Sequence, residues 1–318
     1  MRARALLVAA ACASLAACTV RVDERRFFKP KPSGYTQINW NLRAEDGTRY
    51  TGQDAVNRIY DQFGIRATDG TLPGRAGGLQ TRHLAQSEAD RPLFVYCGGL
   101  SFLIDSHADS HAVISGLPGD MLYWNYPGYG RSEGEASITN LRAASETVAE
   151  AVEGFRRPGQ EVYFWGHSLG GFVCSELAMR YPDTSGLVLE ATAPTLREAA
   201  RSVGSFFTRG WVRVGLKSSV EPFAIAERLD GAGFPVLVAG AREDRVLPVE
   251  LSERLAAQLA AVDVEATFRS YSPARHDMVV AHDDFERDLA AFIGHTSKAD
   301  APSTLRSKVR AGKRPSTR

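Results

Sequence analysis

The sequence predicts an α/β fold in which a mostly parallel central sheet is covered by helices on both faces. Short unbroken apolar runs recur along the 318 residues, and amphipathic segments separate them. Such apolar runs are typical of strands buried on both faces, and their alternation with helices predicts βαβ units. The predicted strands cover residues 93–96, 121–124, 162–165, 187–189, 236–238 and 266–271.

Helices are predicted where apolar residues recur every three or four positions. These segments are residues 141–155, 172–179, 251–261 and 285–293. Residues 194–233 contain no buried-strand run, so we expect them to form a helical cap inserted over the carboxyl edge of the sheet, where α/β proteins bind ligands. The folded domain is expected to span residues 35–296.

Composition and charge exclude two classes of protein. With 44% hydrophobic residues the chain can bury enough apolar surface to fold, which excludes disorder as its main state. Its 38 basic and 37 acidic residues give a net charge of +1, which removes any whole-protein argument for nucleic-acid binding. Residues 297–318 are strongly basic and almost free of apolar residues, so we expect a disordered tail. The alternative is a tail that contacts an anionic surface.

The N-terminus has the pattern of a bacterial export signal. Arg2 and Arg4 precede an apolar stretch that is too short to span a bilayer. It ends in the tetrapeptide Leu-Ala-Ala-Cys at residues 15–18, which resembles the lipobox of bacterial lipoproteins. The resemblance implies a signal peptide over residues 1–17, acylation of Cys18 and a location in the cell envelope, facing the periplasm or the exterior. An ordinary cleaved signal is the alternative, and residues 18–34 are expected to be a tether.

Two cysteines remain after such processing, Cys97 and Cys174. They are far apart in the sequence and form no disulfide framework or metal-binding spacing that can be recognised. We therefore expect Cys97 to be a small packed side chain with no second nucleophilic role.

The motif Gly-x-Ser-x-Gly occupies residues 166–170, between a predicted buried strand and a predicted helix. A sharp strand-to-helix turn leaves no room for side chains on either side of its serine. It holds the hydroxyl above the helix N-terminus, where developing negative charge is favoured. The motif therefore predicts that Ser168 is a nucleophile.

A serine hydroxyl needs a base and an orienting carboxylate, which in this order of elements follow the serine along the chain. Asp244 lies just past a buried strand and is the predicted carboxylate, with Glu243 as the alternative. His276 follows the last predicted strand and is the predicted base. His282 and His295 lie nearer the final helix, where surface positions are expected.

Three motifs together resemble the α/β-hydrolase superfamily of serine hydrolases. They are residues 125–134 (Asn-Tyr-Pro-Gly-Tyr-Gly-Arg-Ser-Glu-Gly), 166–171 (Gly-His-Ser-Leu-Gly-Gly) and 244–248 (Asp-Arg-Val-Leu-Pro). The resemblance covers about residues 91–295. It is strongest to monoacylglycerol lipase-like enzymes and to the α/β-hydrolase-domain depalmitoylases. It implies hydrolysis of an ester, thioester or amide through an acyl-serine, with no metal or organic cofactor.

One segment departs from that branch. The branch usually has His-Gly at the end of its third core strand, and residues 96–99 here read Tyr-Cys-Gly-Gly. Because an oxyanion hole needs backbone N–H groups, Gly99 and Leu169 are the predicted donors.

A second polar cluster has the residue types of a metal site. Asp105, His107, Asp109 and His111 alternate along the chain, and on a strand they would share one face. The resemblance implies a helix at this position, where the pairs 105/109 and 107/111 point about 200° apart. We therefore predict no metal site and a polar helix face.

These observations predict a lipid-anchored serine hydrolase that cleaves a small acyl ester or thioester outside the cytoplasm. Two alternatives stay open at this point. One is a serine peptidase or amidase on the same fold, and the other is a non-catalytic envelope lipoprotein on a hydrolase scaffold.

Overall fold

One eight-stranded sheet runs through the centre of the molecule, with strand order β12-β11-β9-β8-β6-β7-β5-β4. A computed structural model describes residues 19–22, 28, 30, 42–43, 49–50, 52–88, 90–208, 213–217 and 223–294. In this sheet β5 pairs antiparallel with both of its neighbours, and every other pairing is parallel. The predicted α/β architecture is confirmed.

The strands of the central sheet are β4 (Arg66–Leu72), β5 (Leu79–Ala85), β6 (Leu93–Cys97), β7 (Asp120–Trp124), β8 (Val162–His167), β9 (Thr184–Glu190), β11 (Val236–Ala241) and β12 (Ala266–Tyr271). The shorter strands are β1 (Thr19–Val22), β2 (Leu42–Arg43), β3 (Arg49–Tyr50) and β10 (Arg213–Leu216). The helices are α1 (Gly52–Gln62), α2 (Asp109–Ile114), α3 (Ile138–Ala151), α4 (Gly170–Arg180), α5 (Leu196–Thr208), α6 (Ile225–Leu229), α7 (Val249–Ala261) and α8 (Asp283–Phe292).

Helices cover both faces of the sheet, so successive residues of a central strand enter different hydrophobic cores. In β6, Val95 and Cys97 pack in the core that contains α3, α4 and α7, whereas Phe94 and Tyr96 pack in the core that contains α1, α2 and α8. All four side chains are buried. Burying a side chain of this size contributes about 1.5–3 kcal/mol, which is why these strands are apolar throughout.

The N-terminal segment and the cap differ from the expectations. Within the predicted tether, 18–34, β1 pairs in parallel with β10, and Phe28 is buried, so this part of the segment packs on the domain. The predicted helical cap, 194–233, contains the strand β10 in addition to α5 and α6. Pairing between β1 and β10 joins segments almost 200 residues apart, so neither short strand has a local sequence signal.

Several predictions concern residues outside the described part of the chain. These are the signal peptide at 1–17, the acylated Cys18 and the basic tail at 297–318. Among the described residues, no helix has both the length and the apolar character needed to cross a membrane.

Candidate active site

The nucleophile turn lies between β8 and α4, at the carboxyl end of the sheet. Ser168 has φ +55°, in the left-handed region that non-glycine residues rarely adopt. The turn is close-packed, because a Cβ on Gly166 would collide with the carbonyl of Gly170, and a Cβ on Gly170 would collide with the carbonyl of Cys97. These contacts explain why the two positions are glycine, and they keep the serine backbone in its strained conformation.

Ser168, His276 and Asp244 form one continuous hydrogen-bonded chain. His276 Nε2 lies 3.0 Å from Ser168 Oγ, and His276 Nδ1 lies 2.6 Å from Asp244 Oδ2. With the imidazole proton on Nδ1, the histidine donates to Asp244 and accepts the proton of Ser168. The structure thus brings together the three residues that the sequence proposes for the catalytic triad.

Asp244 is oriented by the turn that follows β11. Its Oδ1 accepts hydrogen bonds from the backbone N–H groups of Val246 (2.7 Å) and Leu247 (2.8 Å), and its side chain is fully buried. This leaves Oδ2 directed at His276. Glu243, the alternative carboxylate, is exposed, and its N–H donates to Ala274. The geometry therefore favours Asp244.

The environment of His276 raises the pKa of its imidazole above the usual value of 6.5. Burial on its own lowers this pKa, but the hydrogen bond to Asp244 and the negative charge of that carboxylate, together with the charges of Asp277 and Glu190, outweigh burial. The paired carboxylate thus stabilises the imidazolium that a general base becomes after it takes a proton.

His167 and Glu190 support the histidine loop, and no sequence motif predicts a role for either of them. His167 Nε2 donates to the carbonyl of His276 at 3.1 Å. Glu190 ends β9, and its backbone carbonyl accepts the N–H of Ser168 at 2.8 Å. Its buried carboxylate accepts hydrogen bonds from Trp165 Nε1 at 2.9 Å and from the backbone N–H of Val280.

Glu190 therefore links the nucleophile turn to the loop that follows the catalytic histidine. Burial raises the pKa of this carboxyl, while the charge of His167 and the hydrogen bonds from Trp165 and Val280 lower it in part. The sequence signal for Glu190 is an acidic residue at the end of the buried apolar run 187–189. A charge at such a position needs internal partners.

The predicted oxyanion residues lie beside the nucleophile. A Cβ on Gly99 would lie 3.5 Å from Ser168 Cβ and 3.1 Å from His167 Nδ1. The carbonyl of Gly98 accepts the hydroxyl of Tyr126 at 2.6 Å, and the carbonyl of Gly99 accepts the N–H of Phe102 at 3.0 Å. Within the described part of the chain, no protein acceptor takes the N–H of Gly99 or of Leu169. Both donors are available to a substrate oxygen.

Cys97 and Cys174 form a disulfide with a Cα–Cα distance of 5.8 Å, so the expectation of unpaired thiols is wrong. Cys97 ends β6 and Cys174 lies on α4, which packs against that strand, and neither residue is exposed. Their 77-residue separation conceals this contact. Closing a loop of this length stabilises the fold by about 4.5 kcal/mol in the chain-entropy account.

The polar cluster at 105–111 lies on a helical segment, a π-helical turn at Ile104–Ala108 followed by α2. Its members bind different partners. Asp105 accepts from Gln80, Asp109 accepts from Arg82 and Tyr60, and His111 Nδ1 lies 3.0 Å from the hydroxyl of Tyr123. Burial lowers the pKa of His111 to about 3. These contacts make the cluster part of the packing between helix and sheet.

Among the described residues, one group has three potential metal ligands within 4.8 Å of one another, namely His167, His276 and Asp277. Nε2 of His167 donates to a carbonyl, and Nε2 of His276 lies against Ser168. Both histidine Nε2 atoms therefore already have hydrogen-bond partners in the serine site.

Fold and site together define the chain as a serine hydrolase of the α/β-hydrolase fold. Residues 119–226 match the family described as "Serine aminopeptidase, S33". The matched segment includes Ser168 and ends before Asp244 and His276.

Two kinds of curated relative are similar to this chain. It is 28% identical over 211 residues to an uncharacterized protein of Mycobacterium tuberculosis, covering 66% of this chain and 68% of the relative. It is also 28% identical over 193 residues to lysophosphatidylserine lipase ABHD12 of Macaca fascicularis, covering 57% of this chain and 46% of the lipase. The chain therefore spans about half the length of that lipase.

Solved structures of two esterases share the fold. The Pyrobaculum calidifontis esterase superposes with a TM-score of 0.53 at 18% identity, covering 80% of this chain and 90% of the esterase. The Pyrococcus furiosus esterase Pf2001 gives a TM-score of 0.57 at 12% identity, covering 74% and 94%. At these identities the similarity establishes the fold alone.

The raised pKa of His276 predicts how activity depends on pH. The base works in its neutral form, so kcat/KM should fall on the acid side with an apparent pKa above 6.5. In Asp244→Asn the acid limb should move to lower pH, and kcat should fall by about 10⁴-fold. A pH–rate profile of both proteins measures this shift, and an acid limb in the same place for both would contradict the assigned pairing.

The pairing of His276 with Asp244 makes stability depend on pH in the opposite direction from activity. Because the folded-state pKa is raised, the pairing of protonated His276 with Asp244 contributes stability that is fully present below the unfolded pKa. That contribution is lost as pH rises through the folded pKa.

Proposed function

We propose that the protein is a lipid-anchored, extracytoplasmic serine hydrolase that cleaves an ester or thioester through an acyl-serine intermediate. The observation that carries the proposal is the continuous chain from Asp244 through His276 to Ser168. Because every link is within hydrogen-bond distance, the serine hydroxyl has a base, and the base has a partner for its positive charge.

The reaction follows from the positions of the three side chains. Ser168 Oγ attacks the acyl carbon while its proton passes to His276 Nε2, and Asp244 stays ionised beside the imidazolium. The histidine then gives that proton to the departing alcohol or thiol as the carbon–oxygen or carbon–sulfur bond breaks. A water molecule, deprotonated by His276, attacks the acyl-serine, and its proton returns to Ser168 as the carboxylic acid leaves.

Negative charge on the acyl oxygen needs donors on the other side of the carbon. In this proposal Gly99 and Leu169 supply two backbone N–H groups, the first from the loop after β6 and the second from the residue after the nucleophile. Their position beside Ser168 and the absence of a competing acceptor within the described part of the chain support the assignment. Each such donor contributes about 10²–10³ in kcat.

A small acyl substrate is supported by the relatives. The relatives named as a lipase and as esterases are consistent with an ester bond.

The name of the matched family favours a second candidate, a serine peptidase or amidase. The triad serves both reactions, and the bond cleaved separates them. Turnover of an acyl p-nitroanilide at a rate equal to or above that of the matched p-nitrophenyl ester would favour the peptidase. A non-catalytic lipoprotein is the weaker reading, because it gives no reason for the complete hydrogen-bonded triad.

Anchoring and location rest on two observations. The tetrapeptide at residues 15–18 carries the lipidation signal, with Cys18 as the acylated residue. The buried disulfide between Cys97 and Cys174 suits an oxidising compartment such as the periplasm or the cell exterior. The first observation favours attachment to a membrane of the bacterial cell envelope, and the second favours a location outside the cytoplasm.

Ser168→Ala tests the nucleophile. The substitution removes the attacking oxygen, so labelling by an alkyl fluorophosphonate should be lost and kcat for a p-nitrophenyl ester should fall at least about 10³-fold. Ser175→Ala, a buried serine on α4 that bonds to Gly171, is the matched control and should stay active. Undiminished hydrolysis by Ser168→Ala would contradict the serine mechanism.

Cys18→Ser tests the anchor. Wild type should enter the detergent phase and take up a labelled fatty acid, because in this proposal Cys18 carries the acyl chains. Stable anchoring needs more than one such chain. The variant should do neither, and Cys12→Ser, inside the predicted signal peptide, should behave like wild type. If Cys18→Ser still takes up label, the lipobox assignment is wrong.

A further inference from the structure

The disulfide joins the strand and the helix that lie next to the proposed oxyanion donors. Cys97 is the last residue of β6 and stands two residues before Gly99. Cys174 lies on α4, the helix that begins just after Leu169. With the two Cα atoms 5.8 Å apart, the cross-link holds the end of the oxyanion strand directly on the nucleophile helix.

We propose that the Cys97–Cys174 disulfide is a positioning cross-link for catalysis. It holds the loop that begins at Gly98 against the first turn of α4, so that the N–H groups of Gly99 and Leu169 point at the same acyl oxygen of the substrate. The inference rests on the proposed function, and it assigns the two cysteines a role that neither their spacing nor the triad indicates.

Other contacts also hold this loop, since a Cβ on Gly98 would collide with the ring of Phe102, but among the described residues none of them is a hydrogen bond from the N–H of Gly99. Pairing of β6 with its neighbours ends at Cys97, opposite Gly166. The next two residues are glycines, whose torsions are the least restricted of any residue. The hydrogen bonds of this pair to Tyr126 and Phe102 are made through the two carbonyls. The direction of the Gly99 N–H therefore depends in part on where the chain leaves Cys97.

Close packing makes that exit point critical. The carbonyl of Cys97 is in contact with the Cα of Gly170 at the first turn of α4, so a shift of the strand end changes the distance between both donors. Misplacing a catalytic group by about 1 Å can cost about 10²-fold in rate. Because both sulfurs are buried, the cross-link acts as a fixed part of the site.

The test replaces the disulfide and measures kcat and KM separately. The double variant Cys97→Ala/Cys174→Ala should bind a p-nitrophenyl ester with KM within about threefold of wild type, while kcat falls about 10- to 100-fold. A second variant, Cys97→Val/Cys174→Ala, fills more of the packed volume but also lacks the cross-link, and its kcat should fall by the same factor. It provides a folded protein for the test if the double alanine variant does not fold. Assays are run well below each melting temperature.

A matched control separates positioning from lost stability. Leu259→Ala removes a buried side chain from α7, on a different element from the loop and the nucleophile helix. It should lower the melting temperature substantially but leave kcat unchanged. A purely structural disulfide would behave like this control.

A double-mutant cycle locates the effect. Gly99→Ala disturbs the proposed donor directly, because its Cβ would lie 3.1 Å from His167 Nδ1. If the disulfide acts through this loop, a protein with both Gly99→Ala and the double cysteine substitution should lose less kcat than the product of the two separate fold losses. Multiplicative losses would place the effect elsewhere.

The outcomes distinguish this inference from the proposed function. If wild type reacts with a fluorophosphonate at Ser168 but the cysteine variants keep wild-type kcat, the positioning role is wrong and the serine mechanism stands. If wild type does not react at all, the proposed function itself fails. Loss of kcat in both cysteine variants, with the control unaffected, supports the cross-link.

Discussion

The site depends on the close approach of two backbones, where the first turn of α4 touches the end of β6. At Gly170 there is no room for a Cβ, because the carbonyl of Cys97 occupies that space. This contact requires a glycine at position 170, beside the turn in which Ser168 lies in the left-handed region, and it brings Gly99 close to the nucleophile. It also brings Cys97 and Cys174 within reach of a disulfide. A serine hydrolase site here is thus a consequence of strand–helix packing as much as of three side chains.

Two buried carboxylates at the ends of neighbouring strands have different tasks. Asp244 is bound by two backbone N–H groups and by His276, so its charge faces the reaction. Glu190 lies behind the site, where burial raises the pKa of its carboxyl, and it ties Trp165 to the loop after His276. Environment rather than residue type separates the two roles.

The sequence predicts those features that depend on local pattern. Buried apolar runs predicted the central strands β6, β7, β8, β9 and β11, whereas β4, whose side chains are mostly exposed, has no such run. The motif at 166–170 together with chain order predicted Ser168, Asp244 and His276, which the structure places within hydrogen-bond distance. The strand β10 and the disulfide escaped prediction because each depends on a partner distant in the chain. Glu190 escaped because its role depends on what the end of β9 packs against, which single-sequence patterns do not encode.

The most direct test of the central claim is detection of the covalent intermediate. Rapid mixing with p-nitrophenyl acetate should release a burst of p-nitrophenol equal to about one per active enzyme, because acylation precedes a separate hydrolysis step. Acid quenching during the burst, followed by peptide mass analysis, should then locate an acetyl group on Ser168. An acetyl group found on another residue, or steady turnover with neither burst nor adduct and with no acyl-enzyme trapped by a slower ester, would contradict the account.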